Sequence, residues 1–281
     1  GGFRVLRDVL PPRLAEGALE RVREEVAWCS MYHAGRAVSR RVAVMADGAD
    51  ASGAGAGARP VYRFPTDEEM RAGDWTPLLR AMRDELQLRL GRRLNHAKAQ
   101  LYTNRAGGIG LHSDKTLDIE LGSEVVNLSL GATRTMVLQR KSDGHRVLID
   151  MPHNSAVVFS TEANRGWLHG VPGDRRGGEQ LREDEELHGG ARVSVAFRTI
   201  ATFMLPDGRL YGQGATRKTL EELLAAEAAG REGAAAAEAA GGGAAELLAA
   251  FRAENAAGED FDWHAVYGAG FDAVCLGGAR R

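Results

Sequence analysis

The sequence predicts a mainly β protein with flanking helices, its core a closed double sheet of the jelly-roll or cupin-like kind. Three observations lead there. Short β-rich runs bounded by turn residues recur from Ala97 to Met204, residues with metal-ligand chemistry sit on or beside several of them, and two amphipathic helical stretches precede the series. Many short strands of this kind remove open sheet edges by closing on themselves. At 281 residues and 44% hydrophobic, the chain can build one sizeable core with room for extensions.

Taken in order, Pro11-Pro12 followed by Leu14, Leu19, Val22, Val26 and Trp28 has the spacing of an amphipathic helix with proline at its start. Residues 42–44 and 61–64 read as short strands on either side of 48–58, a Gly/Ala-rich spacer without periodicity that reads as a mobile loop. Thr76-Pro77 opens a second helix, with a capping hydroxyl before a proline at the first helical position, and Leu78, Leu79, Met82, Leu86 and Leu90 follow before Gly91. The core strands are expected at 98–102, 125–130, 135–139, 146–149, 156–159 and 192–203. Residues 173–190 are a charged insertion and read as a solvated loop. After Pro206-Asp207-Gly208 the composition shifts. Thr219-Leu220-Glu221-Glu222 has the form of a capping box opening an Ala-rich helix, and Gly241-Gly242-Gly243 separates it from a second helix near 247–251. The run from Phe261 through Trp263 and Tyr267 to Phe271 holds too many aromatics for a linker and is expected to dock on the main body. The division is therefore 1–207 as the main domain, with a lid or substrate region about 31–72, and 208–281 as an Ala/Gly-rich helical extension.

Composition excludes some classes. No apolar run reaches membrane-spanning length, and the N-terminal stretch lacks a charged segment followed by an apolar one, so no membrane partner is expected and the chain reads as intracellular, nuclear or cytoplasmic. A net charge of −2 does not supply the broad basic field of tight duplex binders. Cys29 and Cys275 fit no metal or redox spacing and read as reduced thiols. Oligomeric state leaves no mark on the sequence.

The chemistry is concentrated in Leu111-His112-Ser113-Asp114. Side chains alternate along a strand, so ligands at i and i+2 face one ion. His169, in Arg165-Gly166-Trp167-Leu168-His169-Gly170, completes a two-histidine, one-carboxylate facial set, which leaves open positions on Fe(II) for a cosubstrate and dioxygen. In Arg192-Val193-Ser194-Val195-Ala196-Phe197-Arg198, both arginines share a face with Ser194 and Ala196. Two guanidiniums on one face suit a dicarboxylate, and 2-oxoglutarate is the natural candidate. Singly, each feature has a blander reading: a His-x-Asp triplet is a common surface turn, an arginine strand is a solvated sheet face, and a lone histidine is a hydrogen-bonded core residue. Their order, with strands between them, favours the joint reading of a mononuclear iron oxygenase.

These residues resemble the AlkB-like family of Fe(II)/2-oxoglutarate dioxygenases. The resemblance runs from about Arg40 to Phe203: Tyr102 ten residues before His112, Asn127-Leu128-Ser129-Leu130-Gly131-Ala132-Thr133-Arg134-Thr135, Trp167-Leu168-His169-Gly170-Val171-Pro172, and the arginine-bounded strand 192–198. It implies a double-stranded β-helix and a cosubstrate site with Arg192 on the distal carboxylate of 2-oxoglutarate, Tyr102 on the same molecule and Arg198 near its C1 end. It also implies methyl-group oxidation, which on an N-methyl group releases formaldehyde. Val61-Tyr62-Arg63-Phe64-Pro65 is similar to the segment that lines the base pocket in nucleic-acid repair members, with Tyr62 in the pocket wall and Phe64 placed to stack a flipped base. Arg36, Arg40 and Arg41 precede it as candidate phosphate contacts, Arg41 foremost. Phe64 as an ordinary core aromatic and the arginines as solvated side chains are the competing readings. Two positions depart from the pattern: Thr116 stands where repair members commonly carry an acid, and Ser194 replaces an asparagine. Methyl oxidation on a nucleic-acid base leads. The same chemistry on a protein side chain or small metabolite is the alternative, favoured by Thr116 and weak basicity, and a non-catalytic binding module of the same fold ranks below both.

Overall fold

Alternation decides which side of each core strand is wet. The segments 96–102 and 192–198 each place polar or charged side chains on one face (His96, Lys98, Gln100; Arg192, Ser194, Arg198) and apolar ones on the other (Ala97, Ala99, Leu101; Val193, Val195, Phe197). The computed structural model of the chain describes residues 2–33, 35–48, 55–65, 71–228 and 235–274. Along it, β1 (Phe3–Arg7), α1 (Pro12–Ala15) and α2 (Ala18–Glu25) lead into β2 (Cys29–His33), β3 (Arg36–Ala46) and the short β4 (Arg59–Pro60). Helix α3 (Pro77–Leu90) precedes β5 (His96–Tyr102), β6 (Ile109–His112), β7 (Glu124–Gly131), β8 (Arg134–Arg140), β9 (Arg146–Met151) and β10 (Ser155–Ser160). Then come α4 (Thr161–Gly166), β11 (Trp167–Val171), α5 (Glu183–Glu186), β12 (Arg192–Arg198), β13 (Thr202–Met204) and β14 (Leu210–Gly212). Helices α6 (Leu220–Ala228), α7 (Ala235–Ala257) and α8 (Trp263–Tyr267) follow.

Among the described residues the larger sheet runs β1-β10-β7-β12-β5-β3-β2 and the smaller one β6-β11-β8-β9. From β5 to β12 the chain passes back and forth between the two, and every pairing is antiparallel. That is the double-stranded β-helix, a jelly roll with the smaller sheet facing the centre of the larger one. The outer face of the large sheet presents Ala99, Leu128, Val158, Val195 and Phe197 to Leu19, Val22, Leu79, Met82 and Leu86 of α2 and α3, forming the main core. Thr76 caps α3 as expected, its hydroxyl accepting from the Leu79 amide at 3.4 Å.

Several expected elements are redrawn. The first helix is two, because Gly17 takes left-handed φ of 61° between α1 and α2. Residues 61–64 are irregular rather than a strand, and the strand read over 192–203 ends at Arg198 and resumes as β13. The charged insertion is partly folded: Arg176 bonds Asp174 and Glu185, and Glu185 is buried. Gly241-Gly242-Gly243 does not separate helices, since α7 runs through it. Part of the 48–58 spacer and Cys275 lie outside the described residues, while Cys29 is an exposed free thiol. The aromatic C-terminal run packs against the main body as expected: Phe261, Trp263 and Tyr267 cluster with Leu247, Phe251 and Leu117. No helix of the described residues is long and apolar enough to cross a membrane.

Candidate metal centre and substrate pocket

Register brings the two histidines together. His169 of β11 lies directly opposite His112 of β6, and their ring centroids are 4.4 Å apart. Asp114 follows two residues after His112, beyond the end of β6 rather than on it, and its Oδ1 is 3.9 Å from Nε2 of each histidine. The donor atoms of all three lie within 4.8 Å of one another, and this is the one such group found among the described residues. The Gly110 carbonyl, 2.9 Å from His112 Nδ1, holds the proton there and leaves the Nε2 lone pair free. Asn164 pins the backbone of Asp114 from both sides, accepting from its N–H and donating to its carbonyl, each at 2.8 Å.

The electrostatics prepare these groups to ligate. Burial by itself would raise the pKa of Asp114, but Arg198, His169 and His112 outweigh it and hold the carboxyl well below the usual range. Burial, with the neighbouring His112, lowers His169 to about 3, and burial lowers His112 as well, so both imidazoles are neutral near pH 7. Two neutral imidazoles and one ionised carboxylate are the donor set that Fe(II) oxygenases use.

Arg198 does more than expected of it. Its Nη2 and Nε donate to Asp114 Oδ2 at 2.7 and 3.2 Å, and its guanidinium lies 4.4 Å from the Tyr62 ring centroid. At the other end of β12, Arg192 faces Tyr102 across the β5–β12 pair, 5.7 Å above its ring. Its Nε donates to Ser129 at 2.8 Å and Nη2 approaches Met151 Sδ at 3.6 Å. Arg134 joins this end: Nη2 donates to the Pro172 and Gly107 carbonyls, while buried Nη1 has no partner. Burial lowers Arg192 to about 10, with Tyr102 opposing and the like charge of Arg134 adding. Among the described residues neither guanidinium is ion-paired. Buried unpaired cations are costly, and the distal carboxylate of a dicarboxylate would satisfy both. The residues therefore fit Fe(II) and 2-oxoglutarate. Arg134 was present in the sequence within the 127–135 motif, but nothing local marked its side chain as inward-facing.

Beside the ligands opens a cavity of about 420 Å³, walled by Tyr62, Phe64, Lys98, Leu111, Lys115 and Asn255 among others. Cavities of about 550 and 480 Å³ touch none of the three ligands, although the second shares Tyr62 and Phe64 with this one. Tyr62 and Phe64 both sit in this wall, with ring centroids 5.5 Å apart. Arg41 does not. Arg40 and Val38 line the cavity, so the alternation of β3 turns Arg41 to the opposite face. Arg40 instead donates to Gln100 at 2.5 Å.

Sequence reasoning missed two contributors. Lys98, buried in β5, holds Nζ 3.5 Å from the Phe64 ring centroid and 3.7 Å from Met31 Sδ, and burial followed by Arg40 and Arg198 pushes its pKa well below the ordinary lysine range. The second is α7. Glu254 accepts from the Thr116 amide at 3.0 Å, from the Thr116 hydroxyl, and from Tyr267 Oη at 2.8 Å. A carboxylate thus does reach position 116, but it arrives from the C-terminal extension. Asn255, next to it, accepts from Ser113 Oγ at 3.1 Å and from Lys115 Nζ.

The sequence profile of the 2OG-Fe(II) oxygenase superfamily matches residues 2–198. The DNA oxidative demethylase ALKBH2 of Bos taurus is 27% identical over 106 residues, 35% of this chain and 38% of that protein. The alpha-ketoglutarate-dependent dioxygenase alkB homolog 3 of Homo sapiens is 25% identical over 135 residues, 45% of this chain and 43% of that protein. The chain thus spans less than half the length of either relative. Among solved structures, OsALKBH1 superposes with a TM-score of 0.48 at 14% identity, over 70% of this chain and 98% of that one.

Proposed function

The chain belongs to the 2OG-Fe(II) oxygenase superfamily, which works with Fe(II), 2-oxoglutarate and dioxygen, and from that premise we propose that it oxidises a methyl group on a nucleic-acid base. The observation that carries the proposal is the aromatic pair Tyr62 and Phe64, tilted 30° to one another in the wall of a cavity that reaches His112 and Asp114. A flipped base is read by stacking in such a pocket. The names of the two relatives, one a DNA oxidative demethylase, point the same way.

In this reading His112, Asp114 and His169 hold the iron, and Arg192, Tyr102 and Arg134 receive the distal carboxylate of the cosubstrate. When bound, iron and 2-oxoglutarate couple decarboxylation to succinate with insertion of one oxygen of dioxygen into a C–H bond, and a hydroxymethyl group on nitrogen then leaves as formaldehyde. The chain's own contribution is placement. Arg198 keeps Asp114 ionised and fixes its orientation. Asn164 fixes the backbone that carries it. Burial keeps Tyr62 protonated, and its oxygen accepts from the Lys115 amide at 3.1 Å, holding the aromatic wall against the ligand loop.

A protein side chain or small metabolite is the second reading, favoured by the net charge of −2. The experiment that tests both is succinate and formaldehyde production with Fe(II) and 2-oxoglutarate under air, with and without methylated single- and double-stranded oligonucleotides. Formaldehyde released in step with succinate supports base demethylation. Succinate formation indifferent to every oligonucleotide moves the substrate to the second class.

A further inference from the structure

The polar groups at the cavity wall that are left uncommitted are donors. Lys98 donates N–H in either protonation state and is ion-paired with no carboxylate among the described residues. Asn255, exposed on α7, has its amide orientation fixed by its neighbours. A lysine side chain such as Lys115 donates, so the atom it meets is Oδ1, and Ser113 meets the same oxygen. Both N–H bonds of Asn255 Nδ2 are left without a partner among the described residues. The acceptors nearby are committed: Asp114 to Arg198 and the ligand set, Glu254 to Thr116 and Tyr267, and Gln100 Oε1 to Arg40.

A wall of this kind sorts methylated bases by chemistry. A methyl on N1 of adenine or N3 of cytosine leaves a cationic ring whose exocyclic nitrogen donates, so beside Lys115 and Asn255 it meets like charge and donor against donor. A methyl on N3 of uracil or thymine leaves a neutral ring with a carbonyl oxygen on each side of the methylated nitrogen, and each oxygen accepts. A site that donates where one ring accepts and another donates discriminates between rings of similar size. We propose that this pocket selects methylated bases of the uracil and thymine kind over methylated adenine and cytosine, with Asn255, delivered by the C-terminal extension, as a specificity-determining contact. The proposal rests on the nucleic-acid reading above and narrows it.

The test uses the full chain and four single-stranded oligonucleotides, each with one 3-methyluracil, 3-methylthymine, 1-methyladenine or 3-methylcytosine. Formaldehyde release gives kcat/KM for each, and fluorescence anisotropy with Mn(II) in place of iron gives Kd without turnover. The expected result is at least a tenfold preference for the two carbonyl-flanked bases in both readouts. Asn255→Asp, which replaces the donor with an acceptor, is expected to narrow or reverse that preference, and Asn255→Ala to weaken the carbonyl-flanked bases alone. Equal use of all four, or preference for adenine and cytosine, overturns the inference and leaves base demethylation standing. Neither turnover nor binding with any of the four overturns both.

Discussion

His112 and His169 meet because antiparallel pairing puts them opposite each other, and Asp114, beyond the end of β6, is held at the same point by Asn164 and Arg198. The i, i+2 spacing made the grouping of His112 with Asp114 legible. What Arg198 bonds to was not legible, because its partner is 84 residues away and is the ligand itself. Two predictions belong at this scale. Arg192→Met removes a charged donor from the cosubstrate end, a loss of about 1.5–3 kcal/mol, so the KM for 2-oxoglutarate should rise roughly 10- to 100-fold with far less change in Mn(II) affinity. An unchanged KM would remove Arg192 from the cosubstrate site. The second concerns acid. His169 has a folded pKa of about 3, against about 6.5 in the unfolded chain, so between those values the unfolded state binds a proton that the folded state refuses. Its contribution is complete above about pH 6.5 and is lost as the pH falls towards about 3. At pH 5 the loss from this one histidine is about 2 kcal/mol. The melting temperature of metal-free protein should therefore drop between pH 7 and 5, and the drop should shrink in His169→Gln. A flat profile in the native protein contradicts it.

Alternation of polar and apolar residues was readable at 96–102 and 192–198, because these strands of the larger sheet have the helices on one side and the site on the other. The readings that failed share a cause, which is that a tertiary contact replaced a local preference. Residues 61–64 have strand composition, yet the Arg63 amide and guanidinium both turn to Asp118, and the segment follows that pair instead of a sheet edge. The turn from β7 to β8 shows the opposite case, a local rule enforced by packing. Gly131 has φ of 97°, and a Cβ there would lie 2.6 Å from the Ala191 carbonyl oxygen. Gly131→Ala combines a left-handed alanine with a backbone clash, so it should destabilise the fold by roughly 2–4 kcal/mol, measured by urea unfolding. A loss under about 0.5 kcal/mol would mean that the turn relaxes freely.

At the scale of the whole molecule, the extension beyond β14 and the jelly roll share one site. Glu254 satisfies two donors of Thr116, and Arg63, between Tyr62 and Phe64, donates to the Phe271 carbonyl at 2.6 Å. Docking of the terminal aromatics was legible from their density. The carboxylate at Thr116 was not, since the two residues are 138 apart and no periodicity links them. Glu254→Ala leaves buried donors unpaired and should cost about 2–4 kcal/mol, with Glu254→Gln recovering part of it; stability unchanged in both would show the contact to be incidental. These contacts also set an order in time. As the chain is synthesised, all three metal ligands and both terminal arginines of β12 exist before residue 254 does, and the pairings that bring them together span fewer residues than the contact between Thr116 and Glu254. The residues that would hold the iron are therefore made, in order along the chain, ahead of those that complete the wall beside them.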